Sequence, residues 1–591
     1  MKDFPKIMFA SALGFIIAYI LLGLIMMIVF AASAGSIFSS FETKGSYELK
    51  DNSVLHMKLT GTIQERVADD ELSSFFEDQN SAIFGLNDVV GAIRKAKNND
   101  KIKGIYLEPG VFSASSATLA EIRQELEKFK ESGKFIISYS DSYSQGGYYL
   151  ASVADKIVIN PQGMMELHGL ASVPMFYKDA LDKLGIKVQV FKVGTFKSAV
   201  EPFIQNEMSE ANRQQITAYL NDIWSFMRND IATSREIAPA QVDSIVNKML
   251  VFDKTETLVA ANLIDTTLYE TEMKAYLREM LDLDKDAKIN SASIQDMKNV
   301  NTKKLKKTDN TIGILYAQGN ISSGTGSSNI QDKYMVDQIE KLRKDKDIKA
   351  VVFRVNSGGG SAYASEQIWK AISDLKKEKP VVVSMGDLAA SGGYYISCNA
   401  DKIVAQPTTL TGSIGIFGMI PDMQGTSNKI GIHTDEVKTH EYSDFGNIFR
   451  PLNEGESAMF QKYINNGYDL FLSRCAEGRG MPKDSLAKYA EGRVWTGNQA
   501  KQIGLVDELG GIQTAIDLAA ELANLGKSYV VFEYPKLKPF WEEFFSKNKE
   551  ELVAKTLKET LGESYEMFML VKNLKEQDYM QARMPFDPNI N

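Results

Sequence analysis

Ser391 stands in "AASGGYYIS", where the apolar run "VVVSMGD" gives way to a turn and a helix start. A hydroxyl there has two uses. It can cap the helix, accepting a bond from an amide two or three residues on. Alternatively it can act as a nucleophile, with the amide of Gly392 aimed at a developing oxyanion. Upstream, "NSGGGSAYAS" (356–365) places Gly358, Gly359 and Gly360 directly after another apolar strand. Successive glycines let a backbone approach a ligand closely and take torsions closed to other residues. Exposed amides at a helix start also suit anions, so a phosphate loop is a rival. No Lys-Ser/Thr pair follows, which weakens the nucleotide reading. The Gly-x-Ser-x-Gly elbow is absent too, because Gly386 lies five residues before Ser391.

A nucleophilic serine needs a proton acceptor. The four histidines (His56, His168, His433, His440) sit in no distinctive motif. A lysine can serve if it is held neutral. Its ordinary pKa is about 10.4, so poising it near 7 takes about 3 units, roughly 4–5 kcal/mol of desolvation and neighbour effects. "VGTFKSAVEPF" surrounds Lys197 with Val193, Phe196, Ala199 and Val200, an apolar setting that could supply this. A buried structural lysine or an ordinary surface lysine is the alternative. Cys398 and Cys475 are too few for a disulfide framework and are expected as buried free thiols. Histidines and cysteines form no zinc-ligand spacing, so neither a metal nor a cofactor is expected. A net charge of −9 argues against a nucleic-acid partner.

The elements that must position these residues come as two copies. "SQGGYYLASVADKIVINP" from Ser144 and "ASGGYYISCNADKIVAQP" from Ala390 align at an offset of 246. At that offset Gln145 stands where the second copy has Ser391, and Ser443 stands where the first has Lys197. The first copy also lacks the glycines, reading "GVFSASSATL". It carries about a dozen extra residues around "DDELSSFFEDQ", expected as a surface loop. Within each copy, short β-branched runs such as "IKAVVFRV" read as buried strands. "SEQIWKAISDLKKEK" carries a helical face at Ile368, Ile372 and Leu375. Strands alternating with helices imply a mostly parallel α/β sheet in each half.

At the N-terminus, residues 7–32 run 26 positions without a charge. As a helix that is about 39 Å, enough to span a hydrocarbon core of about 30 Å with tilt. Lys2 and Lys6 precede it and the next basic residue is Lys44, which places the N-terminus in the cytoplasm. A cleaved signal peptide is the alternative, since "ASAG" at 32–35 resembles a cleavage site. The expected plan is therefore a cytoplasmic stub (1–6), a transmembrane anchor (7–32) and a juxtamembrane linker (33–52). An N-terminal repeat domain (53–289), a linker (290–310), a C-terminal repeat domain (311–535) and a charged tail (536–591) follow.

In combination, "VNSGGGS", "AASGGYYIS", "TLTGSIGIFG" and "GTFKSAVEPF" resemble the signal peptide peptidase A (protease IV) family in its long, duplicated form. The resemblance covers nearly the whole chain. It implies tandem crotonase/Clp-protease-like repeats of ββα units behind one N-terminal transmembrane helix. It also implies a serine endopeptidase whose Ser-Lys dyad is split between the repeats and which degrades signal peptides left in the membrane. By this resemblance Ser391 is the nucleophile, Lys197 the general base and Ser413 the residue that orients the lysine. Gly392 and Gly359 are the oxyanion donors. Many relatives have Ser-Pro-Gly-Gly where this chain has Ser357-Gly358-Gly359-Gly360, so its loop is expected to be less rigid. The implied partners are extended apolar peptides, membrane lipid and three further copies in a homotetramer. The implied location is the inner membrane, with the catalytic domains on the extracytoplasmic side. Two other classes share such a fold: a crotonase-type acyl-CoA enzyme and a silent membrane scaffold.

Overall fold

The computed structural model describes residues 14, 23, 47–67, 83–300, 308, 310–327, 329–526, 528–537 and 578–584. The expected anchor at 7–32, apart from Gly14 and Gly23, lies outside the described residues, as does the insertion around "DDELSSFFEDQ". Among the described residues no helix is long and apolar enough to cross a membrane.

Each half builds a mainly parallel sheet from its β-branched runs. In the first, Ser53–Gln64, Ile102–Ser113, Phe135–Tyr143 and Lys156–Met165 lie side by side in parallel. In the second, Thr311–Gln318, Ile348–Ser357 and Val381–Ala390 do the same. Such strands are covered on both faces, which is why they read as continuous apolar runs. Val351, Val352 and Phe353 are each wholly buried. The duplication is visible in the elements themselves: helix Ser116–Lys130 and helix Ala362–Lys376 are offset by 246 at both ends.

The linker expected at 290–310 is shorter than its composition suggested. Asn290–Ala292 pairs as an edge strand with Ser53–Gln64, and helix Ile294–Lys298 follows it. Ala292, Ile294, Met297 and Val300 sit in the first repeat's core, so apolar side chains among the lysines and asparagines decide the matter. Cys398 and Cys475 are free and buried, and the Cys398 thiol donates to Tyr395 O at 3.2 Å.

A third sheet joins the halves. Lys187–Val193 of the first repeat runs antiparallel to Ile416–Asp422 of the second, in register over seven pairs from Val193–Ile416 to Lys187–Asp422. The same sheet holds Gly359–Ser361 of the glycine loop, Ile321–Ser322, Ile330–Gln331 and the late strand Gln581–Arg583. The strand that leads to Lys197 is thus fixed directly to the strand that follows Ser413.

Candidate active site

Lys197 follows the end of strand Lys187–Val193 in a tight turn, and its side chain is wholly buried. Its Nζ lies 2.7 Å from Ser391 Oγ, 3.1 Å from Ser413 Oγ and 3.2 Å from the Ser413 carbonyl oxygen. The ring of Phe417, which packs with Ala199 and Val200, has its centroid 6.0 Å from Nζ. Burial pushes the amine well below the ordinary lysine value, and among the described residues no carboxylate opposes that shift. A neutral amine has two N–H bonds and one lone pair. Ser413 offers two acceptors for the N–H bonds, which leaves the lone pair to face the hydroxyl of Ser391.

Ser391 closes strand Val381–Ala390 and precedes the short helix Gly392–Tyr395. Its φ of 55° and ψ of −113° lie where side-chain-bearing residues rarely go, and its hydroxyl makes no capping bond. The cap alternative therefore does not describe this serine. In the first repeat Ser144 does cap its helix, accepting from the Gly147 amide. Non-glycine residues with positive φ cost on the order of 1–3 kcal/mol and persist where their surroundings over-determine them. Ser413 (φ 50°) and Glu491 (φ 55°) share this feature, so three strained turns converge on one amine.

Backbone bonds tie those turns together. Ser391 N donates to Gly412 O at 2.8 Å, Ser413 N to Arg493 O at 2.7 Å and Gly492 N to Ile414 O at 2.8 Å. Phe196 N completes the circuit by donating to Glu491 O at 3.0 Å. Gly492 (φ 80°) lies so close that a Cβ there would stand 2.7 Å from the Cβ of Lys197. Beneath the lysine turn is a buried polar network. Gln215 Nε2 donates to Phe196 O and Ser198 Oγ, both at 3.0 Å, and Asn212 Nδ2 donates to Glu201 at 2.9 Å. Gly492, Gln215 and Asn212 were missed in the sequence because they lie in separate segments without motif character. The Glu201 of "VEPF" was the one available signal.

The glycine loop faces the serine. A Cβ on Gly359 would stand 2.7 Å from the Gly392 nitrogen, so only glycine fits there. The amide of Gly359, the expected second oxyanion donor, donates to Ser357 Oγ at 3.1 Å. Along Gly359–Ser361 the bonding edge toward Gln581–Arg583 alternates. Ala362 N donates to Met580 O at 3.1 Å, and Met584 N donates to Gly358 O at 2.7 Å. The residue between them on that edge is Gly360, paired with Ala582. Gly360 therefore turns its amide toward the edge that faces Ala582.

The counterpart residues in each half do other work. Gln145 Oε1 accepts from the amides of His168 at 3.0 Å and Gly169 at 2.9 Å, and its Nε2 donates to Gly169 O. Ser443 lies in an exposed loop, where its Oγ accepts from the His440 amide.

A duplicated α/β scaffold with a serine and a buried lysine meeting between its halves defines a class, the serine peptidases of Clp-protease-like fold. Residues 303–442 match the Clp protease family model, and residues 128–284 and 373–526, one stretch in each half, match Peptidase family S49. "Protease 4" of Salmonella typhi is 38% identical over 449 residues, covering 74% of this chain and 72% of that protein. "Protease 4" of Haemophilus influenzae is 34% identical over 559 residues, covering 93% and 88%. "Serine protease SPPA, chloroplastic" of Arabidopsis thaliana is 33% identical over 485 residues, covering 81% and 70%. The chain belongs to peptidase family S49, in its long, duplicated form, and is a serine protease.

Proposed function

We propose that the chain hydrolyses peptides with a Ser391–Lys197 dyad. The observation that carries this is the 2.7 Å contact between a wholly buried lysine amine and a hydroxyl free of capping duty. Neutral Lys197 takes the Ser391 proton as Oγ attacks the scissile carbonyl. The amides of Gly392 and Gly360 hold the oxyanion, and losing one such donor typically costs about 10²–10³ in rate. The resulting ammonium protonates the leaving amine, and water activated by the same lysine frees the acyl group. Ser413 is a positioning residue, fixing the amine by two contacts.

The substrate class we assign is the extended apolar peptide, signal peptides in particular. A similar protein of Enterococcus faecium, 35% identical over 218 residues, carries the name "Putative signal peptide peptidase SppA". The uncharged run at 7–32 supports a single-pass inner-membrane anchor with the repeats on the extracytoplasmic side. Assembly into a homotetramer is supported by the internal repeat. The 246-residue shift maps Lys187–Val193 onto 433–439 and Ile416–Asp422 onto 170–176. Neither segment is a strand, and Val173, Met175 and Val437 are exposed there. Pairing of these two segments between copies would repeat the contact already made within the chain.

The test is hydrolysis of a signal-peptide sequence by the full chain in detergent. Ser391→Ala and Lys197→Ala should each lower the rate on the order of 10⁴–10⁶-fold with circular dichroism unchanged. Near-normal hydrolysis by either folded variant would refute the dyad.

A further inference from the structure

The first repeat keeps the hollow of a site without its chemistry. A cavity of about 510 Å³ opens where the 246-residue shift carries the candidate catalytic residues of the second repeat. Phe112, Ser113 and Ala114 line it at the counterparts of Gly358, Gly359 and Gly360, and Gln145 lines it at the counterpart of Ser391. The Gln145 amide is bonded to the backbone of His168 and Gly169, so it forms a wall there. The opposite wall belongs to the second repeat and includes Asn356, Leu388 and Leu410. Leu388 pairs with Leu410 in two parallel strands that run on to Ser391 and Ser413, each three residues later. At about 3.3 Å per residue that is about 10 Å. Leu388 also borders the glycine loop, since a Cβ on Gly358 would lie 4.0 Å from its Cδ1. The cavity and the dyad therefore share one wall.

We propose that this cavity is a subsite of the Ser391 centre, taking the third and fourth residues of the leaving peptide with a preference for apolar side chains. The proposal rests on the Ser391–Lys197 reading. Its direction follows from the edge of the glycine loop, along which an extended segment runs antiparallel, as Gln581–Arg583 does. A peptide antiparallel to Gly359–Ser361 passes Ser361 first and Gly358 last. The cavity lies on the Gly358 side, where Asn356 and Leu388 border it, so the part of the peptide beyond the scissile bond enters it. About 10 Å of extended chain beyond the reacting carbonyl reaches the third residue. Leu119, Leu170, Ile223 and Met227 supply apolar walls. Glu166 and Asp387 border the same space, which disfavours acidic side chains by like-charge repulsion. The half without the nucleophile thereby selects the peptides that the other half cuts.

Internally quenched peptides with one common acyl sequence test this on the full chain in detergent. One peptide ends two residues after the scissile bond. Three others continue to the fourth residue, with leucine, lysine or aspartate at both added positions, and mass spectrometry identifies the bond cut. For the wild type, the leucine extension should raise kcat/KM about tenfold or more, mainly through KM, because a buried leucine adds binding without chemistry. The aspartate extension should give no gain. Leu170→Glu places a carboxylate in the apolar wall. It should lose the leucine gain and prefer the lysine extension to the leucine one by about tenfold, with the short peptide cut at the wild-type rate. Ser113→Trp, at an exposed position, should fill the cavity and remove the gain for every extension. If Leu170→Glu also fails on the short peptide, Ser113→Trp decides alone. Equal kcat/KM for the short and leucine-extended peptides, or a leucine gain kept by Ser113→Trp, overturns the subsite while leaving the dyad standing. A wild type that cuts none of the peptides overturns both.

Discussion

At Lys197 the decisive quantity is the free energy of keeping an amine uncharged. Its amine is buried near the Phe417 ring, with Ser413 as its polar partner besides Ser391, and burial lowers its pKa well below the ordinary value. The sign of the consequence can be worked out. Unfolded, the lysine holds its proton up to about pH 10.4; folded, it releases it at a lower pH. Between those two values the unfolded chain binds more protons, so stability rises with pH across that window. In urea denaturation, the wild type should gain up to about 1.4 kcal/mol per pH unit over Lys197→Met within the window. Parallel pH profiles for the two proteins would mean the amine is not neutralised by folding. The two residues of the proposed dyad stood out in the sequence because each sits in a distinctive local pattern. The proposed donor Gly360 was not legible, because glycine type alone does not say which amide lies on which edge; strand register does.

Three turns, rather than any one helix or strand, hold the amine and hydroxyl together. Ser391, Ser413 and Glu491 all take positive φ; the two serine amides donate to Gly412 O and Arg493 O, and the Glu491 carbonyl accepts from the Phe196 amide. Gly492→Ala would drive a methyl into Lys197, whose Cβ would be 2.7 Å away. A displacement of about 1 Å in a catalytic group can cost about 10²-fold, so kcat should fall by about that factor with little change in KM. An unchanged kcat would show that the turn yields without moving the lysine. The parallel sheets and the helices at Ser116–Lys130 and Ala362–Lys376 were legible from apolar periodicity. The third sheet was not, because its strands come from segments hundreds of positions apart and are too short to carry a pattern. The start of the expected linker was misread for a similar reason, since Ala292, Ile294 and Met297 are sparse among polar residues.

Across the whole molecule, the halves are joined by buried charge as well as by the third sheet. Arg354 of the second repeat meets two carboxylates of the first, Glu65 at 2.8 Å and Glu121 at 3.1 Å. Glu65 also accepts from Asn356 at 3.0 Å, next to the glycine loop. Removing one partner of a buried ion pair typically costs about 3–5 kcal/mol, so Arg354→Met should lower unfolding stability by about that amount. Equal denaturation midpoints would show that the network contributes nothing. Between copies, Met175→Asp with Val437→Asp should shift the particle mass from four chains to one in detergent, measured by light scattering. A retained tetramer would remove 170–176 and 433–439 from the interface. That Ser391 and Lys197 belong to opposite repeats was legible from the offset of 246, and the two side chains meet at 2.7 Å. The tail's place in the groove was not legible, since nothing in "MQARM" marks it as a strand. The dyad itself is tested most directly by labelling Ser391 with a fluorophosphonate as a function of pH. Labelling of the wild type should rise with pH through an inflection below the ordinary lysine value, and Lys197→Met, still folded, should lose it. Labelling of Lys197→Met at the wild-type rate, with the same pH profile, would contradict the assignment of Lys197 as the base.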